Sequence, residues 1–182
     1  MNKNKLIKNF ANRVFDGERT REIGRYWASD VKSIVGGWLT PENFFSKKTE
    51  MTLQSSKNVI TGNAFEKLYH DILTYNKVEH EYNPKYELKI DDFVVVVKPD
   101  FVFKDRVEET KFIVSGDYTS YEYQLECEHR ATHLPVFYAI LEAPFDIKHI
   151  PFEPSEERWE FIQKTLRDFH KELSTISSCN SH

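Results

Sequence analysis

Runs of β-branched and aromatic residues in the middle of the chain predict a β-sheet. Between residues 85 and 141 they read, in order, KYELKI, FVVVV, DFVF, RVEETKFIV and PVFYAIL. The polar pairs Asp91-Asp92 and Lys104-Asp105 have the composition of hairpin turns, so the first three strands are expected to form an antiparallel meander. Residues 118–133 read as a helix before the last strand, and such a crossover favours parallel pairing there.

Helices are predicted on both sides of this region by apolar residues spaced three and four apart. Residues 61–75 carry one stripe, and a second helix begins near Ser155. The stripes consist of Phe65, Leu68, Tyr69, Ile72 and Leu73 in the first helix and Trp159, Ile162, Leu166, Phe169 and Leu173 in the second. A shorter helix is expected to be capped by Ser29 or Asp30, and another to begin at Pro41.

The order of these elements predicts an α/β fold with a mixed central sheet flanked by helices. At 182 residues the chain has the length of one domain with a substantial core, so we expect a single domain over residues 1–182. Residues 1–25 are expected to form an N-terminal helical extension and residues 174–182 a frayed tail.

The composition narrows the class of protein. Hydrophobic residues make up 40% of the chain and aromatic residues 14%, which is typical of a globular protein. No apolar run approaches the ~20 residues that cross a bilayer, and the basic N-terminal segment lacks the apolar stretch of a signal peptide. We therefore expect a cytoplasmic protein, in the host cytoplasm if it is viral. The net charge is −4, so binding of nucleic acid would need a local basic patch or metal ions.

The two cysteines, Cys127 and Cys179, lie far apart and fit a reducing compartment. They are too few for an iron–sulfur cluster. Cys127 stands near His129 and His133, but a zinc site would need a fourth suitably spaced ligand, so zinc is not expected.

Ionisable residues interrupt the predicted strands at one place. Asp100 follows Pro99, which cannot donate a hydrogen bond within a sheet and therefore marks an edge or a point where strands part. Glu109 and Lys111 share one face of the next strand, because side chains alternate with a period of two. The turn at Lys104-Asp105 folds Asp100 back beside Glu109, so two carboxylates and a lysine are expected to converge.

A third carboxylate is expected from the helix over residues 61–75. Glu66 lies at the edge of its apolar stripe, beside Leu73, where a charge is costly without a partner. His70 follows one turn later. Carboxylates are hard oxygen ligands for Mg²⁺ or Mn²⁺, and a nearby lysine can position a water or stabilise charge on a phosphate. Metal-dependent phosphodiester hydrolysis needs this combination of groups.

Pro99-Asp100 followed by Glu109-Thr110-Lys111 resembles the motif of the PD-(D/E)xK nucleases. The resemblance extends to residues 28–31 (ASDV), 62–66 (GNAFE) and 123–141, which are similar to segments of RecB-type nuclease domains and their CRISPR-associated relatives. Altogether, roughly residues 26–173 follow the family pattern. The motifs are short, and their order and spacing carry the resemblance.

The resemblance implies a restriction-endonuclease-like core in which Asp100, Glu109 and a helix residue bind the metal. Lys111 matches the catalytic lysine, and Gln124 matches the glutamine near the site. Two departures stand out. Glu66 occupies the helix position where this branch commonly has histidine, which leaves His70 as a spare ligand. The CRISPR-associated relatives often carry four cysteines for an iron–sulfur cluster, which this chain lacks.

These observations predict a divalent-metal-dependent DNA nuclease, an exonuclease of DNA repair, recombination, defence or viral DNA processing. Its partner would be single- or double-stranded DNA, and a homo-oligomer or a nuclease complex is left open. The sequence also leaves open the choice between exo- and endonuclease and between DNA and RNA. Two alternatives remain at this point. One is a nucleic-acid-binding module that has lost catalysis on the same fold, and the other is a subunit of a larger assembly.

Overall fold

A computed structural model of the chain describes residues 3–15, 21–46, 52–111, 121–142 and 146–179. A short 3₁₀ helix at Pro41–Asn43 lies where the sequence predicted a helix to begin. The other elements, in chain order, are α1 (Lys3–Phe15), β1 (Arg25–Trp27), α2 (Ala28–Val35), α3 (Leu53–Tyr75), β2 (Glu81–Tyr82), β3 (Tyr86–Ile90), β4 (Phe93–Val97), β5 (Phe101–Val102), β6 (Val107–Lys111), α4 (Glu122–Thr132), β7 (Val136–Glu142), β8 (Asp146–Pro151) and α5 (Glu156–Cys179).

The described strands form two sheets, one in the order β1-β4-β3 and one in the order β2-β5-β6-β7-β8. Antiparallel hairpins join β3 to β4 and β5 to β6, at the two predicted turns. Asp91 adopts φ +50° in the first turn, a conformation that aspartate tolerates better than most residues. β6 and β7 run parallel, with α4 as their crossover. The predicted α/β fold with antiparallel and parallel strands flanked by helices is confirmed.

The predicted meander differs in one respect, because its middle strand is divided between the two sheets. β4 ends at Val97 and β5 begins at Phe101, and the intervening residues are Lys98, Pro99 and Asp100. Pro99 is buried and has no N–H to donate, so the hydrogen-bonded ladder cannot continue through it. The predicted end of the following strand, residues 112–114, and the predicted start of the helix at residue 118 lie outside the described residues.

Three strands were not predicted. β1 pairs in parallel with β4 and ends at Trp27, just before the segment for which a helix was predicted. Helix α2 begins directly after it at Ala28 without a side-chain cap, so the expected capping by Ser29 or Asp30 was wrong. β2 has only Glu81–Tyr82, and β8 is a mostly exposed edge strand with little apolar signal.

Helices cover both faces of the five-stranded sheet and form a layered core. On one face, Phe65, Tyr69 and Leu73 of α3 pack with Phe101 and Phe103. On the other face, Leu125 of α4 packs with residues of β6 and β7, which are Val107, Val136, Tyr138 and Ile140. A third cluster joins the three-stranded sheet to α2 and α5.

The two long helices largely follow their predicted stripes. In α5, Ile162, Leu166, Phe169 and Leu173 are buried as predicted. The helix continues through Cys179, so residues 174–179 are helical and not frayed, while residues 180–182 lie outside the described part. In α3 the stripe is narrower than predicted, because Leu68 is 45% exposed. None of the described helices combines the length and the apolar character that crossing a lipid bilayer requires.

The core position of Leu166 can be tested by truncation. Leu166→Ala removes a side chain with no exposed surface, and we expect it to lower the free energy of unfolding by about 2–5 kcal/mol. Leu68→Ala is the matched control, with an expected loss of about 1 kcal/mol or less. Urea denaturation measures both. Equal losses for the two variants would contradict the described packing of α3 and α5.

Candidate active site

The predicted site residues surround the middle of β6, which lies between β5 and β7. Its successive side chains point to opposite faces, and both faces are covered by helices. Glu109, which is 3% exposed, contacts Gln124 of α4, whereas the fully buried Glu108 contacts Tyr69 of α3. The two neighbouring glutamates therefore lie in different environments.

Asp100 lies beside Glu109, where β4 gives way to β5. Phe101 pairs with Glu108 in the antiparallel ladder, which sets the preceding residue opposite Glu109. The backbone N–H of Asp100 donates to Oε2 of Glu109 at 3.3 Å. Its carboxylate oxygen Oδ2 accepts from the backbone N–H of Thr110 at 2.8 Å and from the Thr110 hydroxyl at 2.5 Å. Asp100 is thus oriented by main-chain and side-chain donors of β6.

Lys111 and Gln124 meet at one oxygen of Glu109. Lys111 Nζ donates to Glu109 Oε1, and Gln124 Nε2 donates to the same oxygen at 2.5 Å. Lys111 comes from the end of β6 and Gln124 from the first turn of α4. The structure therefore brings Asp100, Glu109, Lys111 and Gln124 into one hydrogen-bonded cluster.

Glu128 is a member of this cluster that the sequence analysis missed. It lies one helical turn after Gln124, whose Nε2 donates to Glu128 Oε1 at 2.8 Å. Glu128 is fully buried, and its Oε2 has no hydrogen-bond partner among the described residues. Burial raises the pKa of its carboxyl well above the usual range, and the nearby Glu109 raises it further. The sequence held one signal for Glu128: it lies four residues after Gln124 in a predicted helix, so the two side chains share one face.

Glu66 approaches the cluster from α3 and is held by the segment between β2 and β3. Asn83 Nδ2 donates to Glu66 Oε1 at 2.8 Å, while the Asn83 backbone N–H donates to the Asp100 carbonyl at 2.9 Å. Asn83 thereby joins the helix carboxylate to the strand that carries Asp100. Burial raises the pKa of the neighbouring Tyr82, and Glu66 raises it further. Neither Tyr82 nor Asn83 was predicted as part of the site.

The cluster contains more acidic groups than basic ones. Burial raises the pKa of the Asp100 carboxyl well above its usual range, and the charges of Glu109 and Glu66 raise it further against the opposing effect of Lys111. Burial by itself would lower the pKa of Lys111, but Glu109 and Asp100 outweigh it and hold that pKa above its ordinary value. Lys111 is therefore a charged ammonium group among carboxylates.

The carboxylate oxygens of the cluster suit a hard divalent cation, although they are not arranged in the geometry of a metal site. Among the described residues, no three histidine, cysteine, aspartate or glutamate side chains are grouped closely enough to hold a metal as they stand. Lys111 and Gln124 occupy one oxygen of Glu109, and Thr110 occupies one oxygen of Asp100. The crowded carboxylates and the unpaired oxygen of Glu128 are nevertheless features that a cation would stabilise.

His70, the spare ligand of the sequence analysis, and two residues of the rejected zinc site, Cys127 and His129, have other contacts. His70 stacks on Tyr82 with 4.1 Å between the ring centroids, and its Nδ1 lies 2.9 Å from His80 Nε2. Cys127 is buried in the hydrophobic core. His129 Nδ1 lies 2.9 Å from the carbonyl oxygen of Leu134. These residues form no metal-binding group within the described ranges.

Glu108 has a separate set of partners on the α3 face. The Tyr69 hydroxyl donates to Glu108 Oε2 at 2.7 Å, and Arg106 Nε donates to Glu108 Oε1 at 2.6 Å. His149 Nε2 lies 3.3 Å from Oε2. A buried carboxylate needs such partners to offset the loss of water, so this arrangement accounts for Glu108 without a role in chemistry.

Comparison with known structures identifies the fold. SSO0001 superposes with a TM-score of 0.65 at 13% identity, covering 93% of this chain and 85% of its own. An alkaline exonuclease from Laribacter hongkongensis superposes with a TM-score of 0.60 at 11% identity, covering 87% of this chain and 94% of its own. The chain shares the fold of an exonuclease.

A second exonuclease agrees with this finding. A phage-related exonuclease from Haemophilus somnus 129PT has a TM-score of 0.56 at 11% identity and covers 85% of this chain and 95% of its own. This is the fold that the resemblance to the PD-(D/E)xK superfamily implied. No family profile matches the sequence, and no curated protein sequence matches it. The RecB-like branch stays a prediction.

The role of Tyr69 can be separated from that of an exposed tyrosine. Tyr69→Phe removes one donor to the buried Glu108 carboxylate, and we expect it to lower the free energy of unfolding by about 1–3 kcal/mol. Tyr75→Phe, at a residue that is 86% exposed, is the control and should leave stability unchanged. Urea denaturation measures both. An unchanged midpoint for Tyr69→Phe would contradict the assigned hydrogen bond.

Proposed function

We propose that the chain is a divalent-metal-dependent DNA nuclease that hydrolyses phosphodiester bonds. The observation that carries this proposal is the convergence of Asp100, Glu109, Lys111 and Gln124 in one hydrogen-bonded cluster around the buried Glu109. Carboxylates can hold the metal ion for such hydrolysis, and a positioned ammonium group or amide can stabilise charge on the phosphate. Glu66 and Glu128 add acidic oxygen atoms at its border.

The structural comparisons favour the exonuclease mode. Two of the similar structures are exonucleases, and the alkaline exonuclease has also been crystallised with dAMP. By analogy, we propose DNA as the partner, in single- or double-stranded form, and a role in DNA repair, recombination, defence or viral DNA processing. We keep the expectations of a single domain, a cytoplasmic location and no iron–sulfur cluster as parts of the proposal.

Asp100 and Glu109 are the proposed metal ligands, with Glu66 as the third carboxylate. When bound, Mg²⁺ or Mn²⁺ would supply a Lewis acid for the phosphate and lower the pKa of a bound water. Asn83 supports this assignment, because it links Glu66 to the Asp100 backbone. The cluster without metal is crowded with acidic groups, and this favours cation binding over an inert structural role.

Lys111 would act through its charge. Its acidic surroundings keep the ammonium group protonated, so it is suited to stabilise negative charge on the phosphate and not to accept a proton. Lys111 and Gln124 both donate to Glu109 Oε1, so each is positioned within reach of a group bound at that carboxylate. Gln124 would orient the substrate or the attacking water.

Cleavage assays with active-site variants test the proposal. Wild type should degrade DNA with Mg²⁺ or Mn²⁺ but not with EDTA. Lys111→Ala should lower the rate by about 10²–10³-fold, because it removes a positioned cation. Asp100→Ala should abolish cleavage while the fold survives. Linear and circular substrates, single- and double-stranded, reveal exo- or endonuclease mode.

Asp105→Ala is the control for these variants, because its side chain is 75% exposed in the β5–β6 turn and should leave the rate unchanged. Cleavage by Asp100→Ala at the wild-type rate would show that the mechanism is wrong. If wild type fails to cleave any substrate with any of these metals, the protein is instead a binding module or an assembly subunit on a nuclease fold.

The proposed role of Glu66 as a metal ligand can be tested by measuring how the rate of DNA cleavage depends on metal concentration. Glu66→Gln removes the charge and keeps the shape, so we expect half-maximal cleavage to require more Mg²⁺ or Mn²⁺, by about 10-fold or more. The rate at saturating metal should fall less. Glu81→Gln, on the exposed β2 strand, is the control. A metal dependence identical to that of wild type would remove Glu66 from the ligand set.

A further inference from the structure

Trp38 is a large ring held in place on the surface. The side chain is 69% exposed. Its backbone, in contrast, is fixed, since Trp38 N donates to the Ser33 carbonyl at 2.9 Å and Asn43 Nδ2 donates to the Trp38 carbonyl at 3.1 Å. The next residue, Leu39, is buried. The fold therefore anchors the main chain on both sides of a ring that packs little against the core.

The two glycines before Trp38 define where its ring lies. Gly37 adopts φ +70°, which favours glycine and turns the chain at the end of α2. A Cβ atom added to Gly36 would lie 3.3 Å from Trp38 Cε3, so the ring rests against the glycine backbone. One side of the ring is thus supported, which pre-organises it for contact with a ligand.

A series of ring and ammonium contacts connects Trp38 with the active site. Lys32 Nζ lies 6.0 Å from the centroid of the Trp38 ring and 5.1 Å from that of the Tyr121 ring. Lys111 Nζ lies 4.9 Å from the same Tyr121 ring. The catalytic lysine proposed above and the exposed tryptophan are therefore joined through Tyr121 and Lys32.

A groove of about 740 Å³ lies between α2, α4 and α5, and its lining includes Lys32 and Trp38, the outer end of this series. Its aromatic lining includes Trp38, Tyr123 and Phe161. Arg158 in the groove is paired with Glu122 at 3.1 Å. Lys32, in contrast, forms no ion pair with any of the described residues, and its ammonium group lies over the Trp38 and Tyr121 rings. Glu157 is the acidic residue of the lining besides Glu122. Aromatic rings beside basic side chains are features of single-strand recognition.

We propose that this groove binds a segment of single-stranded DNA that continues from the phosphate held at the active site. A base stacks on Trp38, and a backbone phosphate contacts Lys32. An unpaired strand is the occupant because a base can reach the face of Trp38 only when it is not stacked in a duplex. This inference rests on the proposed nuclease function and adds the form of DNA that the site receives.

Binding of a 5′-fluorescein oligo(dT) probe in EDTA, followed by fluorescence anisotropy, tests the groove without cleavage. Trp38→Ala should weaken binding by about 10- to 100-fold, because it removes a stacking contact, whereas Trp38→Phe should retain most of the affinity. Lys32→Ala should also weaken binding and make the dependence of log K on log salt shallower by about 0.7 for one lost phosphate contact. Circular dichroism verifies that each variant is folded.

Tyr75→Ala and Lys171→Ala are the matched controls, an exposed ring on α3 and an exposed lysine ten residues beyond Phe161 on α5, and should bind the probe like wild type. Equal affinity for Trp38→Ala and wild type would overturn the inference, as would the absence of probe binding by wild type. Altered sedimentation of Trp38→Ala with unchanged DNA binding would make the groove an interface between copies and would overturn it too.

Cleavage of DNA by wild type, measured separately with Mn²⁺, distinguishes the two proposals. Loss of probe binding in Trp38→Ala supports the groove even if wild type does not cleave DNA, in which case only the nuclease proposal fails. If wild type cleaves DNA and Trp38→Ala binds the probe as tightly as wild type, the nuclease proposal is supported and the proposal that the groove binds DNA is wrong.

Discussion

The burial of Glu109 is the constraint on which the candidate site depends. A carboxylate with 3% exposure is costly to keep in a core, so the surrounding elements must bring donors to it. Lys111 and Gln124 donate to one of its oxygens and the Asp100 backbone to the other. These donors come from β6, α4 and the residue just before β5, so satisfying one buried group places three separate segments relative to one another.

The interruption of the strand before β5 provides the space for this arrangement. In a continuous strand, Asp100 would be paired with its neighbours in the hydrogen-bonded ladder, and its side chain would simply follow the alternation of faces. Pro99 ends the ladder instead, and the chain leaves one sheet and joins the other. Asp100 consequently stands at the boundary between the sheets, where Thr110 orients its carboxylate and Asn83 holds its carbonyl.

Local sequence patterns predicted the hairpins, the crossover helix and the meeting of Asp100 with Glu109, because period and turn chemistry are properties of neighbouring residues. They did not reveal β1, which has three residues and is defined by its pairing with β4, almost seventy residues later in the chain. Glu128 and Asn83 were missed for a similar reason. Each is an unremarkable polar residue until tertiary packing brings it to Glu109 or Glu66, and no single-sequence pattern records such a contact.

The alternation of Glu108 and Glu109 has a consequence for how the sheet assembles. Each glutamate is buried against its own partners, Tyr69 and Arg106 on one side and Lys111 and Gln124 on the other. Shifting β6 by one residue would turn each side chain to the opposite face of the sheet. Both carboxylates would then be buried away from the donors that now bind them. The two adjacent glutamates therefore destabilise a misaligned pairing, and β6, which contains the candidate site residues Glu109 and Lys111, favours a single register.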